Sequence, residues 1–271
     1  MKLSSYLFSS IVFVLLFAFV SNVKSQDRLF TSTYQSGVLN KGQREIEIWN
    51  TYRYGKTDFF SRIDNRTELE IGLGHNLQTS LYLNLTTKSV GVDNAGVKSI
   101  ETEHELSFSN EWKYKLFDAV ADPMGLALYG EIGIGTLERE YEAKVIVDKK
   151  LNKFTLAANA TYELESEAEY ELNKVEWKAE HQAELNLALA YEISPKFQIT
   201  MEHAYRNVFV EGKLKHSALY SGLGFSYSRE NFWVNFTAMP QIKGFKGNDN
   251  NTLNLDEYEK IQCRLLASFA F

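Results

Sequence analysis

The chain has 271 residues, with 29 Lys and Arg against 35 Asp and Glu, and a net charge of −6. An acidic chain lacks the basic surface that nucleic acids require, so nucleic acid is not an expected partner. Its single cysteine excludes a small fold held together by intramolecular disulfides.

The amino terminus has the three parts of a secretory signal peptide. Lys2 supplies a positive charge, residues 7–20 are almost wholly apolar, and residues 23–25 suit a cleavage site. The apolar run is shorter than the roughly 20 residues that a membrane-spanning helix needs, which disfavours a membrane anchor. The sequence predicts a signal peptide over 1–25, Sec-type export, and one mature domain over 26–271.

A polar lead-in at 26–43 precedes a repeated alternation of apolar and polar residues. Between 63 and 73 the odd positions are mostly apolar and the even positions mostly charged, and the pattern resumes at 77–86 after a short turn. Side chains of a strand alternate between its two faces, so this pattern indicates a β-hairpin. A total of only 3 prolines favours extensive strand pairing.

The same alternation predicts about twelve strands, within a range of ten to fourteen. They are expected at 44–54, 59–73, 77–87, 99–111, 124–135, 139–148, 153–164, 175–192, 196–207, 217–228, 231–240 and 258–271.

The connections between these strands alternate between short turns and longer polar segments. The longer ones are 88–98, 165–174, 208–216 and 241–257. Short periplasmic turns and long external loops are typical of outer-membrane barrels. A short helix within 163–184 is an alternative because its residues are good helix formers, but its glutamates recur at every second position, which favours strands.

Charged residues of the polar rows are expected to line a hydrated lumen. They are Glu45, Glu47, Arg66, Glu68, Glu70, Glu101, Glu103, Glu105, Glu180 and Glu184. One interpretation is a wall braced by ion pairs, and another is a ring of negative charge that favours cations. The two are compatible. A glycosidase-like pair of carboxylates is not supported, because the glutamates are spread over several strands.

The five histidines do not form a catalytic or metal-binding pattern. A lipid-modifying barrel enzyme would place a His and a Ser two positions apart on one strand face, and no histidine meets that condition. His104, His181 and His203 fall on apolar rows, near the expected membrane interfaces. The sequence therefore predicts no catalytic residue, no metal site and no cofactor.

The carboxyl terminus has an apolar row made of Cys263, Leu265, Ala267, Phe269 and Phe271. It resembles the closing strand of bacterial outer-membrane barrels, which typically finish on Phe and use that end as an assembly signal. The resemblance assigns this role to Phe269 and Phe271. It implies two partners, the barrel assembly machinery and the outer-membrane lipid.

A second resemblance covers about the first 60 mature residues. The stretches Lys41–Ile48 and Asp64–Leu73 read KGQREIEI and DNRTELEIGL. They are similar to bacterial outer-membrane transporter-like barrels, including the family named after the phenol-degradation (MetA) pathway. That family is thought to help move hydrophobic or aromatic compounds across the outer membrane. The resemblance implies a barrel with a transport role and assigns no ligand residue.

Together these patterns predict an all-β fold, a transmembrane antiparallel up-and-down β-barrel in a Gram-negative outer membrane. The expected function is a porin-like channel or passive transporter for a small solute that the sequence leaves unidentified. Three other classes remain open. A lipid-modifying barrel enzyme needs a Ser–His pair, a structural or surface barrel needs a lumen filled by its own side chains, and a secreted β-sandwich needs polar outer rows.

Overall fold

A computed structural model describes residues 28–171, 174–248 and 251–271, and in it twelve antiparallel strands close into one barrel. The prediction of an all-β transmembrane-type barrel is confirmed. The predicted signal peptide, 1–25, lies outside the described residues. No helix among the described residues is both long and apolar enough to span a membrane.

The strands are numbered β1 to β12 in chain order. Their bounds are Arg44–Tyr54, Phe60–Gly74, Leu77–Asn94, Val97–Phe117, Gly125–Gly135, Glu138–Leu151, Phe154–Glu171, Lys174–Ser194, Phe197–Val210, Lys213–Arg229, Phe232–Lys246 and Ile261–Ala270.

Each strand pairs with its neighbour in the chain, and β12 closes the barrel on β1. Ile46 lies opposite Phe269 in this closing pair, and the Phe271 amide donates to the Arg44 carbonyl at 3.1 Å. Closure leaves no unpaired sheet edge. We call the end where β1 begins and β12 finishes the terminal end, and the opposite end the loop end.

The outer face carries an apolar band between two rings of aromatic side chains. Phe154 and Tyr191 pair at the terminal end, with ring centroids 5.0 Å apart, and Tyr52 stacks on Tyr54 at 6.1 Å toward the loop end. Tyr191 and His181 are ten residues apart along β8. At a rise of about 3.3 Å per residue and a strand tilt of about 40°, that stretch covers about 25 Å along the barrel axis. That height is typical of the lipid-facing band of a membrane barrel.

Three of the predicted long loops are wrong, because the strands continue through them. The segments 88–98, 165–174 and 208–216 lie mainly in strands. Ala95-Gly96 and Glu211-Gly212 make tight turns, and all four residues have positive φ. The same finding rules out the alternative helix within 163–184. The fourth predicted loop, 241–257, is present but shifted, because β11 continues to Lys246 and β12 begins only at Ile261. The elongated β4 and β8 have 21 residues each.

The closing contact generates a prediction about the last residue. Deleting Phe271 removes the hydrogen bond from its amide to Arg44 and the terminal ring beside the closing seam. The folded fraction after refolding into detergent should fall severalfold, as measured by the gel mobility of unheated samples. Phe271→Tyr, which keeps both features, should refold like the wild type. Equal refolding of the deletion variant would show that the seam closes without this residue.

Candidate functional site

The lumen of the barrel is occupied by the amino-terminal end of the described chain. Residues 28–40, which we call the inner segment, turn into the barrel from the terminal end instead of leading straight into β1. Phe30, Thr31 and Thr33 have no exposed surface, and Tyr34 and Leu39 are 7% and 3% exposed. The expectation of a simple polar lead-in at 26–43 is therefore wrong for residues 28–40.

Glu202, on the inner face of β9, is the principal anchor of the inner segment. Its Oε1 accepts hydrogen bonds from the Thr31 amide at 2.8 Å and the Thr31 hydroxyl at 3.0 Å. Its Oε2 accepts from the amides of Ser32 at 2.8 Å and Thr33 at 3.0 Å. Thr237 on β11 donates to the same carboxylate at 2.7 Å. Hydrogen bonds to a charged acceptor are among the strongest in proteins.

Polar side chains of other strands bind the backbone of the inner segment further along. Asn159 bonds both ways with Tyr34, accepting from its amide at 2.6 Å and donating to its carbonyl at 3.0 Å. Gln78 accepts from the Leu39 amide at 2.8 Å. The inner segment is thus hydrogen-bonded to strands on several sides of the barrel.

Small residues of the wall make room for the inner segment. Phe30 and Leu29 pack against Ala157, Ala188 and Ala190. Burying a side chain such as Phe30 is worth about 1.5–3 kcal/mol. The wall is therefore shaped to receive apolar side chains at this height.

Two glycines lie where the inner segment approaches the wall most closely. A Cβ on Gly72 would overlap the carbonyl oxygens of Leu39 and Asn40, and a Cβ on Gly125 would overlap the Ser36 hydroxyl. Only a residue without a side chain fits at either position while the segment stays in place.

Five buried glutamates, Glu45, Glu47, Glu68, Glu70 and Glu111, form a glutamate cluster in the terminal half of the lumen. Each is at most 4% exposed. In the β1–β2 register Glu45 lies opposite Glu70, and Glu47 lies opposite Glu68. Like charges directly opposite each other destabilise a sheet. Oxygens of Glu68, Glu70 and Glu111 lie within 4.8 Å of one another, a spacing that could hold a cation.

Arginine side chains supply positive charge around the glutamate cluster. The Arg28 guanidinium, carried by the inner segment, lies 4.0 Å from the ring centroids of both Tyr34 and Trp49. Arg66 Nη2 lies 2.5 Å from Glu131 Oε1, and its guanidinium lies 4.1 Å from the Tyr82 ring. These cations offset part of the negative charge that the strand register concentrates here.

Nearer the loop end, acidic side chains gather on one side of the lumen, which we call the acidic wall. Glu140 of β6 lies opposite Glu165 of β7, and Glu142 lies opposite Glu163. Glu165 also lies opposite Glu180 of β8. Oxygens of Glu140, Glu142 and Glu163 come within 4.8 Å of one another, so they too could share a cation.

The strands on the other side of the barrel carry arginines at similar heights. Arg53, Arg62 and Arg264 lie on β1, β2 and β12 respectively. Arg53 and Arg62 bind Asp64, at 3.1 and 2.6 Å. In a ring of twelve strands, β1 lies opposite β7. The loop half of the lumen therefore has negative charge on one side and positive charge on the other.

Residues 251–260, in the connection between β11 and β12, fold over the loop end and are tied to the lumen wall. Glu259 lies 3.1 Å from Arg206 and 3.8 Å from Arg53, and its carbonyl accepts from the Tyr220 hydroxyl at 2.7 Å. Burial alone would raise the pKa of the Glu259 carboxyl, but the positive charges of Arg53 and Arg206 hold that pKa below its ordinary value.

The structure divides the predicted lumen residues into two groups. Glu45, Glu47, Arg66, Glu68, Glu70, Glu180 and Glu184 lie on inner rows, and Glu184 binds Arg206 at 2.8 Å. Glu101, Glu103 and Glu105 lie on the tall part of β4 toward the loop end and are exposed. Glu103 has Lys88 at 3.7 Å. Phe269 and Phe271 are exposed at 40% and 43%.

Two of the histidines on the outer face bond to hydroxyls of neighbouring strands. His104 Nδ1 lies 3.0 Å from the Thr87 hydroxyl, and His181 Nδ1 lies 2.7 Å from the Tyr162 hydroxyl. These cross-strand pairs satisfy imidazoles at the edge of the apolar band. Ser221 of β10 lies opposite His203 of β9, but among the described residues no hydrogen bond joins a histidine ring to a serine hydroxyl.

The sequence pattern did not reveal the inner segment or its anchors. Glu202 belongs to the inner row of β9, but nothing in the alternation distinguishes it from other inward glutamates. The only available signal was a set of apolar residues, Leu29, Phe30, Tyr34 and Leu39, inside a stretch that is otherwise polar.

The closed twelve-strand barrel is the fold of outer-membrane channels and porins. It is similar to the NanC porin, with a TM-score of 0.53 at 11% identity over 83% of this chain and 98% of that one. It is also similar to the COG4313 outer-membrane channel from Pseudomonas putida F1, with a TM-score of 0.54 at 11% identity over 86% and 97%. The KdgM porin in complex with disordered oligogalacturonate has a TM-score of 0.52 at 9% identity over 84% and 99%.

The chain belongs to the family of unknown function DUF6662, whose model matches residues 22–271. No curated protein matches the sequence.

The anchoring contacts predict that Glu202 keeps the inner segment in the lumen. Glu202→Ala removes a charged acceptor whose hydrogen bonds are worth about 1.5–3 kcal/mol each. The segment should then become accessible to chymotrypsin, which cleaves after Phe30 and Tyr34, while the barrel stays folded. Glu180→Ala changes a wall glutamate that bonds to Gln182 and should leave the segment as resistant as in the wild type. Equal resistance of Glu202→Ala would contradict this role.

Proposed function

We propose that the protein is an outer-membrane channel for small cationic or polar solutes, and that its inner segment closes it. In bacterial outer-membrane barrels the two termini face the periplasm, so the terminal end would be periplasmic and the inner segment would close that side. The single observation that carries the proposal is the position of residues 28–40 across the lumen, held by hydrogen bonds.

The nature of the contacts favours a closure that can be released. The inner segment is joined to the wall by hydrogen bonds to Glu202, Asn159 and Gln78, and by the packing of Phe30. It forms no strand of its own, so leaving the lumen would cost no backbone pairing of the barrel. The barrel could therefore stay closed around an emptied lumen.

Charge in the loop half favours cations over anions. The acidic wall would attract cations from outside. Of the arginines opposite, Arg53 and Arg62 are paired with Asp64, and Arg264 donates to the Thr51 hydroxyl and the Thr31 carbonyl. A ring or wall of carboxylates is a common selectivity device in cation channels. The glutamate cluster in the terminal half extends the same preference along the path. A strongly apolar solute would gain little from these surroundings.

A structural barrel without transport is the second candidate. Its supporting observation is the packed terminal half, where Tyr34, Trp49, Trp233 and Leu266 form one buried cluster. A lumen filled in this way is what a barrel with a purely structural role would need.

Export, localisation and assembly belong to the same proposal. After Sec-type export the barrel would be inserted in the outer membrane of a Gram-negative cell. Phe269 and Phe271, at the end of the closing strand, would be read by the barrel assembly machinery. Their exposed rings would then face outer-membrane lipid.

Conductance separates the two candidates. Gly72→Val places a side chain where the backbone of the inner segment runs, so the segment must move. In planar bilayers the wild type should open rarely, and Gly72→Val should open often. Gly130→Val is the control, because a Cβ there meets only the Glu142 carbonyl at 3.8 Å. Sealed bilayers with both Gly72→Val and Glu202→Ala would favour the structural barrel.

Ion selectivity should depend on the acidic wall. Replacing Glu140, Glu163 and Glu165 by Gln in the Gly72→Val background should reduce the preference for potassium over chloride, as measured by the reversal potential in a salt gradient. The same replacement at Glu101, Glu103 and Glu105 should have a smaller effect, because those carboxylates are exposed to solvent and screened. The reverse order would contradict the assignment of selectivity to the acidic wall.

A further inference from the structure

The guanidinium of Arg28 is enclosed in the manner of a bound ligand. It lies between the Tyr34 and Trp49 rings, 4.0 Å from each centroid. Its Nε donates to the Phe30 carbonyl at 3.1 Å, and its Nη2 donates to the Thr31 carbonyl at 3.2 Å. Only 5% of the residue is exposed. A planar cation held against aromatic faces is the geometry of a cation–π site.

The part of this enclosure that belongs to the barrel wall is Trp49 with two glutamates. The Trp49 indole Nε1 donates to Glu47 Oε2 at 2.9 Å, which fixes the orientation of the ring. Glu68 lies opposite Glu47 in the strand register, and the negative charges of both act on the Arg28 guanidinium. We call Trp49, Glu47 and Glu68 the wall site.

The burial of the Glu68 carboxylate favours a cation in the wall site. Glu68 is 1% exposed, and neither of its carboxylate oxygens has a hydrogen bond of ordinary length and angle in the described residues, although the Ser80 and Tyr82 hydroxyls lie close to it. Tyr82 lies beside it, but the Tyr82 hydroxyl donates to Glu111. Burying a carboxylate is costly unless donors or counter-charges compensate for it, and the counter-charge from the wall is Arg66, which also pairs with Glu131. A cation at the position of the Arg28 guanidinium would lower that cost.

The shape of the site favours a guanidinium over an ammonium ion. The flat face of Trp49 suits a planar cation that stacks, and two carboxylates suit its several N–H donors. A compact ammonium ion carries a tightly bound hydration shell. It would have to lose that shell to enter this site, because the residue that now occupies it, Arg28, is only 5% exposed.

We propose that the wall site binds planar organic cations bearing a guanidinium group, and that Arg28 occupies it as a tethered ligand while the inner segment is in the lumen. The proposal of a binding site is supported by the contacts of Arg28 with the wall site, whatever the function of the barrel. As the solute site of a channel it rests on the proposed function, because a free guanidinium compound would reach it only when the inner segment moves.

Chemical rescue tests the proposal without measuring transport. Arg28→Ala in the full chain empties the wall site, and its melting temperature in detergent should fall. Methylguanidinium chloride at low millimolar concentration should restore most of that loss, while methylammonium chloride at equal ionic strength should not. The wild type, whose site is filled, should show no increase with either salt.

A second variant ties the rescue to the wall site. Arg28→Ala combined with Trp49→Leu should not respond to methylguanidinium. If Arg28→Ala does not fold alone, the refolding yield with each salt becomes the readout, with the same order expected. No response to methylguanidinium, an equal response to methylammonium, or rescue that persists without Trp49 would each overturn the proposal. Because no current is recorded, a sealed barrel could still bind guanidinium, and an open channel could still fail to bind it.

Discussion

Carboxylates that point into a confined lumen are the constraint on which this structure depends. Closing twelve strands turns every second side chain inward, and in this chain many of those side chains are glutamates. A buried charge must be paired or hydrogen-bonded to be tolerated. Glu202 obtains most of its donors from the backbone amides and hydroxyls of residues 31–33, and the glutamate cluster obtains part of its positive charge from Arg28. The inner segment thus satisfies charges that the strand register places in the lumen.

This dependence links the architecture to the proposed function. The same contacts that stabilise the closed barrel also block its terminal half, so closure and stability draw on one set of hydrogen bonds. The loop half is organised differently, since its charges face each other across the lumen and residues 251–260 cover it through Glu259. A solute would meet the acidic wall first and the inner segment second. The acidic wall and the inner segment differ in chemistry, and the inner segment must move as a chain segment.

Much of the barrel could be predicted because a strand records its two faces locally. The alternation around Ile63 to Leu73 identified both the strand and the inward direction of Glu68 and Glu70. The turns at Ala95-Gly96 and Glu211-Gly212 were missed because polar residues there resemble a loop, whereas positive φ at both positions permits a tight turn. The inner segment was missed for another reason. Its decisive contact joins Thr31 to Glu202, 171 positions apart, and no local pattern records a contact of that range.

The site was predictable only in part, for the same reason. The alternation of polar and apolar residues placed Glu47 and Glu68 on inward rows. That they lie directly opposite each other follows from the β1–β2 register, and their enclosure depends on Trp49 and Arg28. Glu101, Glu103 and Glu105 also lie on an inward row, yet the extension of β4 puts them in solvent. An alternating pattern reports which way a side chain points, and it does not report how deep in the lumen that side chain lies.

Hydrogen–deuterium exchange of the folded barrel tests the central claim most directly. The amides of Thr31, Ser32 and Thr33 donate to Glu202, and those of Tyr34 and Leu39 donate to Asn159 and Gln78. If the inner segment fills the lumen, these amides should exchange nearly as slowly as those of the adjoining strands. Exchange at the rate of an unstructured peptide would show that the lumen is not occupied by the chain, and would contradict this account.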